Sequence, residues 1–231
     1  MRTVLDRIEI VRGSWSLACS AIFPEGRHLV AGRVGSGKTT LAELVAGVLC
    51  PRAGTVVREG VASMQLSFQF PEYHVTEPTV EAEIRSFGCD PDAILAKTDL
   101  AGRENENPLR LSRGELKRLH LACLLAGNAD LLLLDEPFSS LDCREKARTA
   151  RAIEARSHGI TIVFTHEQWH LPRVDELWEL DVTGLHGLGR LPAAIPAWQR
   201  PPAAIAAALA QGCIPKNISA RDVEAACRTR D

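Results

Sequence analysis

Three short stretches carry residue types at spacings that could do chemistry. The first is GRVGSGKT, Gly32 to Thr39, which fits GxxxxGK[ST] at every fixed position. Glycines so spaced let backbone N–H groups curl around phosphate oxygens with no Cβ in the way. A helix starting there adds the partial positive charge of its N-terminus. The predicted cradle is Gly32, Arg33, Val34, Gly35, Ser36, Gly37, Lys38, Thr39 and Thr40. Lys38 is expected to reach β- and γ-phosphates, the Thr39 hydroxyl to hold Mg²⁺, and Thr40 to add a phosphate contact. The second stretch, LLLLDEP, ends an apolar run in two acids. Asp135 is placed to bind Mg²⁺, directly or through a water, and Glu136 to polarise an attacking water. A solvated pair of charges at a strand end is the plainer alternative, and a phosphate loop on the same sheet counts against it.

The third stretch, HEQWH from His166 to His170, fits HExxH, in which two histidines hold zinc and a glutamate serves as base. That chemistry needs both histidines on one helical face. The residues before it, GITIVFTH, are β-branched and apolar up to Thr165, and Pro172 limits any helix that follows. The pattern predicts His166 at a strand end, with Glu167 and His170 as surface residues of the next turn.

The elements that must position these groups follow from periodicity. RIEIVRG, SWSLACSAIF and RHLVAG read as short strands parted by turns, which suggests antiparallel pairing. KTTLAELVAGVL places Leu41, Leu44, Val45 and Val48 at helical spacing, with Pro51 as the stop. GTVVREGVASMQLSFQF returns to strands, and residues 79–128 are mostly helical. ADLLLLDEP and ITIVFTH read as buried parallel strands, joined by a long helix in CREKARTARAIEARSHG. Alternating strands and helices predict an α/β protein with a mostly parallel sheet, an N-terminal antiparallel β subdomain and an inserted α-helical subdomain. The expected division is 1–187, with the helical insertion at about 72–128, then 188–231 as a linker and a short helical extension. The linker is expected because GLGRLPAAIPAWQRPP is rich in proline and glycine.

The totals narrow the function. A chain of 231 residues suits one large domain, or a core with a smaller lobe. A net charge of -2 with no long basic run points to neither nucleic acid nor anionic lipid. Seven scattered cysteines without a CxxC pair fit reduced thiols in a cytosol. The amino end lacks the apolar core of a secretory signal, and no stretch approaches the ~20 apolar residues of a membrane span. Work at a membrane would require another chain as the anchor.

Between the phosphate loop and His166 lie further motifs in a fixed order: Gln69 in SFQFPEYH, LSRGE from Leu111 to Glu115, the acidic strand, and SSLD ending at Asp142. From about Ile8 to His166 the chain resembles the nucleotide-binding subunit of ATP-binding cassette (ABC) transporters. FQFPEYHVTEPTVEAEI and the tail RPPAAIAAALAQGCIP…SARDVEAAC are most similar to the ATPase subunits of energy-coupling factor transporters, importers of vitamins and metal ions. The P-loop NTPase core is the fold this implies. It implies ATP and Mg²⁺ as ligands and ATP hydrolysis as the activity. The catalytic set becomes Glu136, His166 and Gln69, with Gln69 joining Thr39 and Asp135 at the metal. A second ATPase subunit, identical or a close relative, would pair head to tail. Ser112 and the Gly114 amide would then touch the γ-phosphate across the interface, and Asp142 would link the two sites. A transmembrane coupling subunit and a substrate-binding membrane subunit are the other implied partners, which would place the protein peripherally on the cytoplasmic face of the cell membrane. His166 would bond the γ-phosphate and Glu136.

Departures from the pattern carry alternatives. Arg113 stands where a glycine is usual, adding bulk and charge to the LSRGE segment. Ser112 is equally a helix N-cap in a capping box with Glu115, and the two roles are compatible. Trp15 is the candidate adenine platform, with a packed core aromatic as its rival. A soluble non-transport ABC ATPase and a nucleotide-gated binding module are the competing functions. Tandem cassettes or a coiled-coil insertion would mark the first, and loss of Glu136 or His166 the second.

Overall fold

A computed structural model describes residues 1–13 and 15–228. Ser14, at the head of the second expected strand, and 229–231, the end of the expected tail extension, lie outside the described residues. β1 (Arg2–Arg12), β2 (Trp15–Pro24) and β4 (Ala53–Glu59) form an antiparallel sheet in the order β2-β1-β4. Thr3 and Leu5 face the core, and then Ile8 and Ile10 do. This change of parity requires one extra residue, and the register shifts between Leu5 and Ile8, where Arg7 has φ 47°.

β3 (Gly26–Ala31) corrects the expectation for the third run. It leaves the antiparallel sheet and runs parallel between β7 (Ile160–Thr165) and β8 (Glu176–Asp181). With β5 (Met64–Ser67), β6 (Leu131–Asp135) and β9 (Gly184–Arg190) it builds a six-stranded sheet, β5-β6-β7-β3-β8-β9. Only β9 is antiparallel to its neighbour. β6 and β7 are buried at every position because both sheet faces are covered. On one face Val30, Leu131, Leu133 and Ile162 meet Leu41, Leu44 and Val45 of α1 (Lys38–Ala46), together with the antiparallel sheet. On the other, Leu29, Leu132, Leu134 and Val163 meet Leu121 and Leu124 of α4 (Arg113–Ala126) and Ile153 of α5 (Cys143–Ala155). A third cluster joins α4 to α2 (Val80–Ser86) and α3 (Pro91–Thr98) through Val80, Ile84, Ile94, Leu95, Leu116 and Leu119.

Two boundaries differ from expectation. α1 stops at Gly47, which takes φ 77° and returns its N–H to Glu43 and Leu44 carbonyls, so Val48 lies beyond the helix and is exposed. The stretch expected as a linker is instead the end of β9 followed by a turn that buries Ile195 and Trp198 in the main core. α6 (Ala203–Ala210) and α7 (Ala220–Arg228) pack on the same cluster through Ile205, Ala208 and Val223. Arg173 pairs with Asp222 at 2.7 Å, and Asn217 bonds both backbone groups of Val174, which fastens the tail to the strand region.

Candidate functional site

The parallel strands deliver the predicted groups to one place. β3 ends at Ala31, the phosphate loop follows, and α1 opens at Lys38. Gly35 has φ 82° and Gly37 φ 101°, backbone that favours glycine. A Cβ on Gly37 would also come within 2.1 Å of the Trp15 ring. A Cβ on Gly32 would come within 2.6 Å of the Leu180 carbonyl and of Ser36 Oγ. β7 beside β3 and β6 beyond it both end next to this loop, so Asp135 at the end of β6, Glu136 just after it and His166 after β7 converge on it.

Lys38 is 5% exposed, and its Nζ donates to the carbonyls of Gly32 (2.9 Å) and Arg33 (3.0 Å). The same ammonium lies 3.1 Å from Glu136 Oε1. Glu136 also accepts from Thr165 Oγ1 (3.1 Å) and the His166 N–H (3.3 Å), and meets His166 Nδ1 at 2.8 Å. A carboxylate only accepts, so Nδ1 carries the proton there. Glu136 sits at φ 48°, a costly backbone for a side chain of this size and one that collects at functional positions. Thr39 Oγ1 donates to Asp135 Oδ2 at 2.8 Å. Burial pushes the Asp135 carboxyl up to about 6, opposed by the Thr39 hydroxyl and reinforced by the charge of Glu136.

Val34, Gly35, Gly37, Lys38, Thr39 and Thr40 line an open cleft of about 320 Å³ with Trp15, Gln69, Glu136 and His166. Gly32 and Arg33 face the other side of the loop, and Ser36 Oγ is buried beneath it. Trp15 borders the cleft and packs against the core cluster under α1. Ser112, Gly114 and Asp142 are not brought to this cleft. Ser112 closes the expected capping box with Glu115. Gly114 passes the Ser140 carbonyl so closely that a Cβ would stand 2.9 Å from it. Asp142 caps α5 by accepting the Glu145 N–H at 2.8 Å.

The HExxH geometry is not built. Residues 166–170 are not helical, and His166 is turned to Glu136. Glu167 corrects the expectation of a surface residue: its side chain is 8% exposed, pairs with Lys146 at 2.6 Å and accepts the N–H groups of Gln168 and Trp169.

The sequence reading missed three participants. Thr165 was read only as strand, yet its hydroxyl braces Glu136. Arg12, from β1, lines the cleft beside Trp15. Lys117 is buried on α4, and its Nζ donates to the carbonyls of Phe68 (2.9 Å) and Gln69 (3.3 Å). Burial pushes that ammonium down to about 8, against the pull of Asp135, Glu136 and Glu72. A signal for Lys117 existed: it falls on the α4 stripe shared with His120, Leu121 and Leu124.

Known proteins resemble this chain in sequence and in fold. The family model described as ABC transporter matches residues 20–139, over half of the chain. A relative from Pyrococcus furiosus, named as an ABC transporter ATP-binding protein, is 36% identical over 64% of this chain. The matched stretch spans 66% of that relative, just under two thirds of its length. An energy-coupling factor transporter ATP-binding protein of Thermotoga maritima is 33% identical over 68% of each chain. A biotin transport ATP-binding protein of Rhodobacter capsulatus is 32% identical over 67% of this chain and 75% of its own. Among solved structures, an ATP-binding cassette described as a dimer in a post-hydrolysis state with ADP and Pi superposes with a TM-score of 0.65. It is 17% identical, covering 80% of this chain and 98% of that one, and so shares the α/β fold.

Proposed function

Because this chain belongs to the ABC transporter family of ATP-binding proteins, we propose that it binds and hydrolyses ATP as the motor of an importer of the energy-coupling factor type. One observation carries the reading: Lys38, Glu136 and His166 form a single bonded cluster on the wall of the phosphate-loop cleft. In this reading Lys38 exchanges its loop carbonyls for phosphate oxygens, and the amides of the loop receive the rest of the polyanion. Glu136 holds the attacking water and takes its proton, with Thr165 and His166 fixing the carboxylate. Gln69, on the same wall, would contact the water and the metal. Trp15 offers its ring to adenine at the rim.

The residues present suit Mg²⁺. Thr39 Oγ1 and Asp135 form an all-oxygen donor set, and Asp135 Oδ1 is buried with no hydrogen-bond partner among the described residues. Thr39, Asp135 and Gln69 would hold the ion, one carboxylate being enough where phosphate oxygens complete the shell. Bound there, Mg²⁺ would neutralise charge on the β- and γ-phosphates.

Ser112, Gly114 and Asp142 lie away from the cleft of their own chain, which supports a head-to-tail pair in which each copy, or a close relative, completes the other's site. The name of the Rhodobacter relative, a biotin transport protein, supports a vitamin as cargo, moved by membrane partners, with a metal ion as the other cargo that the resemblance implies. No helix among the described residues is long and apolar enough to cross a membrane. The likeness to transporter ATP-binding proteins is what supports peripheral attachment, at the cytoplasmic face of the cell membrane. The test is Glu136→Gln in the purified full chain. ATP binding should persist while turnover falls by about 100-fold or more, the scale of a lost general base; unchanged turnover would overturn the assignment.

A further inference from the structure

The α4 face bearing Arg113, Lys117 and His120, about one turn apart, meets the irregular segment that holds Gln69. Arg113 Nε donates to Glu72 at 2.9 Å, and its guanidinium carbon stands 5.6 Å from the centre of the Phe70 ring. Lys117 donates to the carbonyls of Phe68 and Gln69. His120 lies 5.3 Å, ring to ring, from His74, whose Nε2 accepts the Phe68 N–H at 2.8 Å. Phe68 is thereby held at both its N–H and its carbonyl, and Gln69 follows it directly.

Lys117 is 1% exposed, and among the described residues no carboxylate comes within ion-pair distance of it. Burying an ammonium against carbonyls alone is expensive. A leucine or methionine would fit the same apolar stripe without that cost but would leave the Phe68 and Gln69 carbonyls without their donor, so what the amine supplies is a hold on this segment's backbone.

We propose that Lys117 is a positioning residue for Gln69: it grips the carbonyls of Phe68 and Gln69 and so keeps the Gln69 side chain on the wall of the phosphate cleft. The inference rests on the role given to Gln69 above. It also ties the cleft to the helix whose N-terminus carries Ser112, so that a shift of α4 moves Gln69.

The test is a double-mutant cycle on the purified full chain with ATP and Mg²⁺. Lys117→Met, which keeps the length and removes the donor, should lower kcat about tenfold with KM within about twofold. Lys117→Gln, whose amide still donates, should recover part of that loss. In a Gln69→Ala background neither change should lower kcat further, because the side chain being positioned is gone. Losses that multiply in the double variant, or a Lys117→Met protein with full kcat, would overturn the inference. Should Lys117→Met not fold, Lys117→Gln in both backgrounds decides by the same criterion. If Gln69→Ala itself keeps full kcat, the role given to Gln69 falls, and this inference with it. If Gln69→Ala is impaired and Lys117→Met is not, only the inference falls.

Discussion

At the end of β6, buried polar side chains meet one another as well as backbone: Lys38 with Glu136, Glu136 with His166 and Thr39 with Asp135, while Lys38 also holds two loop carbonyls. In the helical region the balance shifts towards backbone. Lys117 holds two carbonyls, and Glu83 accepts the N–H groups of Thr76 (3.0 Å) and Glu77 (2.9 Å) while its other oxygen meets His120 at 3.1 Å. The difference follows from what surrounds each group. Strands satisfy their own backbone, which leaves side chains free to face one another. Residues 68–77 form no strand or α-helix, so their buried N–H and C=O groups need partners from side chains. One region is arranged for chemistry, the other for holding an irregular segment in place.

The largest effect should come from cutting the first network at its centre. Lys38→Met would leave Glu136 buried without its cation and the loop carbonyls without their donor. Nucleotide affinity should fall by roughly 100-fold, and removing one partner of a buried pair should cost about 3–5 kcal/mol of stability. Equilibrium binding and denaturant unfolding measure the two. A variant that bound ATP normally would show that the cluster is ornamental to phosphate recognition.

Cutting the second network should separate fold from binding. Glu83 is fully buried; burial alone would raise its carboxyl, but hydrogen bonds from His120, Thr76 and Glu77 outweigh it and hold the group below the ordinary glutamate range. Glu83→Leu would orphan those N–H groups and should cost about 2–4 kcal/mol. Affinity of the nucleotide cleft should change by no more than about twofold, since additivity holds for distant sites. A large loss of affinity would mean that the two regions are one cooperative unit.

The two regions were not equally legible in the sequence. The phosphate loop and the acidic strand end were readable because their chemistry is local. Gly35 and Gly37 supply left-handed backbone, and Lys38 and Thr39 follow at once. Lys117 and Glu83 were not readable, because their partners are backbone groups of an irregular segment whose course no side-chain pattern reports. The same cause explains the linker expectation. Proline and glycine after His186 suggested exposed chain, yet β9 continues to Arg190, and Ile195 and Trp198 are buried by tertiary packing that composition does not report. Gly47 was a local signal overlooked in favour of Pro51: a glycine at a helix end stops it sooner than a proline four residues on.

The regions should also answer pH in opposite directions. Asp135 titrates higher folded than unfolded, so its stabilising share is complete below about 3.8 and is lost as pH rises through about 6. Glu83 is shifted downward, so its share is present above the unfolded carboxylate range and lost on acidification. His74 is pushed down to about 4 by burial and by neighbouring His120 and Lys117, which adds to acid loss below about 6.5. Asp135→Asn should therefore stabilise the nucleotide-free, metal-free protein at pH 8 by on the order of 1–3 kcal/mol and give no gain below pH 4. Hydrogen exchange at pH 5 should find α2 and residues 68–77 opening before β6. Equal protection in both would contradict the comparison.

The smallest effect is expected where the second region reaches solvent. The Arg113 and Glu72 side chains are 56% and 36% exposed, so water and salt screen their 2.9 Å contact. The stacking of Arg113 over Phe70 is exposed as well. Arg113→Ala should cost less than about 1 kcal/mol at low salt, and most of that should vanish in 0.5 M NaCl, as for other surface pairs. The same helix, four residues on, carries a cation with no such screening, since Lys117 is sealed from solvent. Position along one helix face thus separates an adjustable contact from a fixed one. A loss above about 2 kcal/mol that persisted in salt would place Arg113 in the buried network. The grip on the Gln69 segment would then begin at the first turn of α4 and not at the second.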